Sequence, residues 1–147
     1  MIDKKKQGKR NRINGAIFEK RVRLDLESKD WTVSKWQNNV ELEYKKLVPA
    51  KMGRFRSNQG GFPDFIAFKN VDLHRFACDK CGKLNVFDYH NTHEIIGVEV
   101  KTNGYLTKEE KEKCKWYLKN NKFSKILIAS KGKKRGEIIY KEFENGK

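Results

Sequence analysis

The sequence predicts an α/β domain, a β-sheet with helices packed on it, and three features carry that expectation. Phe18, Val22 and Leu26 recur at i, i+4 and i+8, the period of a helix with one buried stripe. The short apolar runs FIAF, IIGV and ILIA are bounded by polar and turn residues, as buried strands are. Between the second and third of these runs, Thr107-Lys-Glu-Glu110 forms a capping box that opens a further helix. Strands and helices mixed in this order argue for a sheet covered by helices.

Element by element, residues 1–13, ending KKKQGKRNR, read as a basic flexible arm. A single domain follows over residues 14–147. Asn14 is a plausible N-cap for a helix to about Ser28, with Ile17, Arg21 and Leu24 beside the apolar stripe. WTVSKW (31–36) alternates like a strand, with Trp31, Val33 and Lys35 on one face. Residues 37–62 hold a strand around Tyr44 to Val48, then a polar loop rich in Lys and Arg. Phe62 to Phe68 reads as a strand, with Pro63 tolerated at its first residues. Residues 70–93 look like an insertion. Ile95 to Thr102 is apolar enough for a central strand, and Asn103-Gly104 is a turn. The capped helix runs to about Asn120 with Cys114, Tyr117 and Leu118 inward. KILIAS (125–130) and EIIYKEF (137–143) supply the last strands.

The chain has 147 residues, the size of one ordinary domain, and carries 34 Lys and Arg against 19 Asp and Glu, a formal net charge of +15. Such an excess does nothing for the fold but draws polyanions, with nucleic acid the leading partner. A membrane surface is disfavoured, because no helix pairs one basic face with one apolar face. No apolar segment follows the charged start, and no run is long enough to span a bilayer. Three cysteines, an odd count, argue against a secreted disulfide scaffold. These features point to a soluble cytoplasmic protein.

Chemistry concentrates in GFPDFIAFKN (61–70) and IIGVEVKTNG (95–104). Residues two apart in a strand share a face, so Glu99 and Lys101 project together while Val98 and Val100 face the other layer. Asp64 opens a strand that can lie beside theirs, which would bring two carboxylates and an ammonium to one sheet edge. Two hard carboxylates suit Mg²⁺, and a nearby lysine suits a water or a phosphate. The alternative is a set of strand-end charges with Lys101 as a salt-bridge partner.

Pro63-Asp64 followed by Glu99-Val100-Lys101 resembles the PD-(D/E)xK nuclease superfamily. The opening helix, with Gly15-Ala16-Ile17-Phe18-Glu19, is similar to the first helix of the archaeal-type Holliday-junction resolvases in that superfamily. The resemblance covers roughly residues 14–130. It implies a restriction-endonuclease-like fold, a central mixed sheet flanked by helices, and a Mg²⁺-dependent endonuclease that acts as a homodimer, with Mn²⁺ as a substitute ion. Glu19 would inherit the role of a further metal-site acid beside Asp64 and Glu99; the alternative for Glu19 is an exposed helix acid paired with Arg23. Family resolvases often carry a catalytic serine before the PD pair. Ser57 is the nearest residue here, and Gln59 is equally placed. The 70–93 insertion is not part of the family pattern.

Within that insertion Cys78-Asp-Lys-Cys81-Gly-Lys is a knuckle that can point two thiolates at one metal, with His90 and His93 downstream. Together the four suit a structural tetrahedral Zn²⁺ site. The other reading is a reduced hairpin with free thiols and surface histidines. Cys114 is read as a core residue, and Trp31, Trp36 and Trp116 as core or interface residues. Candidate DNA-gripping residues are Arg10 and Arg12 on the arm, Arg54, Arg56, Ser57, Asn58 and Gln59 in the loop before the site, and Lys108 on the helix after it. The function expected is a metal-dependent DNA endonuclease, with a four-way junction as the best substrate. The alternatives are a restriction-like or repair nuclease on linear duplex or flap DNA, a non-catalytic DNA-binding protein on a nuclease scaffold, and an RNA-directed protein.

Overall fold

The computed structural model describes residues 4–50, 60–71 and 92–144. In chain order these form α1 (Lys4–Glu27), β1 (Thr32–Lys35), β2 (Asn38–Glu41), β3 (Lys46–Pro49), β4 (Phe65–Val71), β5 (Thr92–Val100), α2 (Lys108–Lys119), β6 (Lys125–Lys131) and β7 (Ile138–Glu142). Five strands make one mixed sheet in the order β1-β4-β5-β6-β7, and β2 and β3 pair separately. Only β5 and β6 run parallel, with α2 as the crossover between them. The α/β class and the central position of β5 are as expected from the sequence. No helix among the described residues is long and apolar enough to cross a membrane.

Each face of the sheet has its own core. Phe18, Val22 and Leu26 of α1 pack on Val33, Phe65, Ala67, Ile96, Val98 and Ala129. The other face buries Val40, Phe62, Cys114, Tyr117, Phe123 and Ile126, with α2 and the β2–β3 hairpin over it. Val98 lies on the α1 side of β5, so Glu99 turns toward α2, as strand alternation requires. Trp36 packs edge-on against Tyr117 and Phe123, and its ring N–H donates to the Tyr117 hydroxyl at 3.2 Å. Trp31 packs at the margin of the α1-side core. Both rings are packing residues, as expected. Burial, with the nearby charge of Glu99, pushes the Cys114 thiol up to about 12, which keeps it protonated and inert.

Three expectations need correction. The helix starts at Lys4, so Asn14 lies inside it and residues 4–13 of the segment read as an arm belong to α1. Lys, Arg and Gln are good helix formers, and a polar run on a helix that overhangs its sheet needs no apolar stripe. Residues 6–14 are all exposed, and Phe18 is the first buried side chain. Strand β2 was not anticipated, because Val40 is its one buried position. The strand expected at 44–48 begins only at Lys46, since Leu42 to Lys45 form the hairpin turn with Lys45 at φ 49°.

Gly97 ties this packing to the site. A Cβ there would lie 2.8 Å from Cγ of Pro63 and 3.2 Å from Cδ2 of Phe123. The proline ring precedes Asp64 directly, so whatever displaces it displaces the carboxylate. Gly97→Ala is expected to lower unfolding stability by about 1–3 kcal/mol. A chemical-denaturation midpoint equal to that of the wild type would mean that the ring gives way freely.

Candidate active site at the end of the β4–β5 ladder

Strands β4 and β5 pair antiparallel from Val71 opposite Thr92 to Phe65 opposite Val98. Just beyond that last pair the backbone ladder gives way to side chains. Asp64 N–H donates to Glu99 Oε2 at 3.1 Å, and Val100 N–H donates to Asp64 Oδ2 at 2.9 Å. Each carboxylate is thus anchored by the backbone of the other strand. The two acids expected to meet do meet, with Glu99 only 5% exposed.

Lys101 Nζ lies 3.1 Å from Glu99 Oε1 and 2.5 Å from Glu110 Oε1. Glu110 is the third residue of α2 and closes the capping box. Its Oε2 accepts Thr107 N–H at 2.7 Å, while Thr107 Oγ1 accepts Glu110 N–H at 3.3 Å. One carboxylate therefore caps α2 and holds the lysine. On the opposite side, Lys35 Nζ is 2.7 Å from Glu19 Oε2 and 3.7 Å from Asp64 Oδ1, and it lies over the Phe65 ring. The result is a row, Glu19–Lys35–Asp64–Glu99–Lys101–Glu110, across the sheet end from α1 to α2.

Four carboxylates share two lysines in this row, which leaves two negative charges in excess when all are ionised. The electrostatics respond accordingly. Burial, then the Asp64 charge, pushes Glu99 to about 8. Burial also raises Asp64, against the Val100 N–H that favours its anion. For Lys101, burial works against the charge, but Glu110 and Glu99 outweigh it and hold the pKa above the ordinary lysine value. Lys35 is raised in the same way, with Glu19 and Asp64 opposing burial. Lys101 is consequently a charged donor here, suited to orienting and stabilising anions.

Glu19 does not join the two central acids directly, since Lys35 intervenes. Nor does it pair with Arg23, whose Nε lies 2.8 Å from Glu27 Oε1 instead. Among the described residues no group of three or more His, Cys, Asp or Glu side chains comes together to hold a metal ion. Arg10 and Arg12 are exposed on the overhanging half of α1, and Lys108 is exposed at the first position of α2. His93 sits on β5 opposite Asn70, at the far end of the strand from Glu99. Arg54, Arg56, Ser57, Asn58, Gln59, Cys78, Cys81 and His90 lie outside the described residues.

Lys35 and Glu110 are the site residues that the sequence did not single out. Lys35 had a signal, a lysine continuing the apolar face of Trp31 and Val33. Glu110 was recognised only as a cap. Comparison with protein-family models, curated proteins and solved structures finds no match to this chain.

The state of Glu99 has a measurable consequence. Its folded pKa of about 8 exceeds the ordinary 4.5, so between those values the folded protein binds more protons than the unfolded chain. Metal-free stability is expected to fall by a few kcal/mol as pH rises through that window, with Asp64 acting in the same direction. The raised lysines act only above 10.5 and leave this window untouched. Urea midpoints in EDTA across that range should fall more for the wild type than for Glu99→Gln. Equal slopes would mean that Glu99 is not held protonated.

Proposed function

We propose that this protein is a metal-dependent DNA endonuclease with a restriction-endonuclease-like arrangement of sheet and site. The observation that carries the reading is the exchange between Asp64 and Glu99 with Lys101 on the same carboxylate. A pair of strand-end charges needs no such cross-strand locking, and burial makes this pair unfavourable without a cation. The donors suit Mg²⁺ in kind, being carboxylate oxygens on fixed backbone in a cluster with excess negative charge. Mn²⁺ shares that preference for oxygen. Asp64 and Glu99 would hold the ion, which when bound supplies a Lewis acid for phosphate and a more acidic water. Glu19 would be recruited only by leaving Lys35.

The chain's own residues have clear parts to play. Asp64 and Glu99 fix two oxygens relative to the backbone, so the site is preorganised. Lys101, charged and tethered by Glu110, offers its remaining donor to the attacking water or to a phosphate oxygen that gains charge. The net charge of +15 supports a polyanionic substrate. A four-way junction is the substrate we favour, cut by a homodimer. Ile13, Ile17 and Leu24, exposed on one side of α1, supply apolar surface for such pairing.

Cleavage of labelled four-way junction, flap and linear duplex DNA, with Mg²⁺ or with EDTA, tests this directly. Wild type should cut only with the ion. Asp64→Ala should abolish cutting, and Lys101→Ala should slow it by about a hundred-fold or more. Mg²⁺ should raise the melting temperature of the wild type but not of Asp64→Ala. Tight binding with no cutting of any substrate would replace the enzyme by a DNA-binding protein on this scaffold.

A further inference from the structure

The β6–β7 hairpin turns through GKKRGE, residues 132–137. Because β6 is parallel to β5, its carboxyl end lies at the same sheet end as Glu99. Lys101 N–H donates to Ala129 C=O at 2.9 Å, which puts the start of the hairpin tip two residues beyond the site's own lysine. Strands spaced by about 4.8 Å set β7 about 10 Å from β5. That is the span of about three base-pair rises along a duplex strand.

The tip is held from within and from outside. Gly132 N–H donates to Glu137 C=O at 3.0 Å, and Glu137 N–H donates to Lys134 C=O at 3.1 Å. The Glu137 carboxylate accepts Lys134 N–H at 3.1 Å and packs on Gly132, where a Cβ would meet it. Gly136 has φ 94°, a left-handed conformation suited to glycine. From α1, Arg21 donates to Gly136 C=O at 2.7 Å, and Lys131 Nζ lies 5.6 Å from the centre of the Phe18 ring. The one acid of the turn is thus spent on its backbone. Lys133, Lys134 and Arg135 point into solvent, and none of them forms an ion pair among the described residues.

We propose that this hairpin tip is a clamp for DNA backbone phosphates flanking the scissile one, with Lys133 and Lys134 as its principal contacts. The inference rests on the nuclease reading of the site for its location, and charge complementarity identifies the occupant. A phosphodiester brings its own negative charge to a centre lined by four carboxylates, and fixed positive charge close by favours its approach. A braced turn supplies it at lower entropic cost than a mobile tail. Lysines on the solvated face of a helix would lack both the bracing and the location.

Binding of fluorescein-labelled duplex and four-way junction DNA in EDTA, followed by anisotropy over a salt series, tests the clamp without cutting. Lys133→Gln/Lys134→Gln should bind roughly ten-fold more weakly, with a log–log salt slope shallower by about 1–2. Lys119→Gln/Lys122→Gln removes equal charge from exposed positions at the opposite sheet end and should bind like the wild type. Lys133→Arg/Lys134→Arg should retain affinity, and matched melting temperatures would exclude misfolding. Equal losses in the two glutamine variants would overturn the clamp, as would a hairpin effect seen with duplex RNA and not with DNA. The selective binding loss in a protein that cuts nothing with Mg²⁺ would support the tip as a phosphate clamp and sink the nuclease reading, and with it the scissile phosphate. Cutting without the selective loss would do the reverse.

Discussion

Everything at the acid-bearing end of this sheet depends on two hydrogen bonds that cross from one strand to the next. Where the β4–β5 backbone ladder ends, Asp64 N–H reaches Glu99, and Val100 N–H reaches Asp64. Side chains thereby take over the work that carbonyls do along the rest of the ladder. The exchange requires the two strands to be in one register, because a slip of one residue would send Glu99 to the α1 face. Gly97 and Pro63 enforce that register sterically, and Val98 and Phe65 enforce it by burial. The core therefore specifies the site as well as the fold.

The same arrangement makes the site electrostatically unstable by itself. Burial raises both carboxylates, the Asp64 charge raises Glu99 further and Glu19 raises Asp64, and the surrounding lysines only partly offset this. Neither lysine is independent. Lys101 is held by Glu110, which is committed to the start of α2, and Lys35 is shared between Glu19 and Asp64. Helix capping, sheet register and site charge are one connected system, so a change at Thr107 or Phe65 acts on the acids as well as on its own element. Proteins accept this kind of strain where a cation or a substrate relieves it.

Much of this was legible in the sequence, for physical reasons that can be named. The stripe of Phe18, Val22 and Leu26, the apolar β5 and the capping box are local patterns, and each appears where its period put it. The meeting of Asp64 and Glu99 was legible because strand alternation fixes direction once two strands are assumed adjacent. Lys35 and Glu110 were not, since their roles depend on which element packs across from them. Lys35 reaches sixteen residues back to Glu19 through tertiary packing alone. The early start of α1 was missed for the opposite reason. A wholly polar helix carries no periodic signal, and composition alone reads the same in a coil.

Topology also separates the two metal questions that the sequence raised. Residues 72–91 join Val71 to Thr92, which pair at one end of the β4–β5 ladder, while Asp64 and Glu99 lie at the other. Seven residues of β4 intervene, about 23 Å of extended chain. His93, the one described member of the set Cys78, Cys81, His90 and His93, stands on β5 opposite Asn70, at the end of the ladder remote from the acids. The acid pair and His93 thus stand at opposite ends of one ladder, so a substitution at His93 leaves the exchange between Asp64 and Glu99 in place.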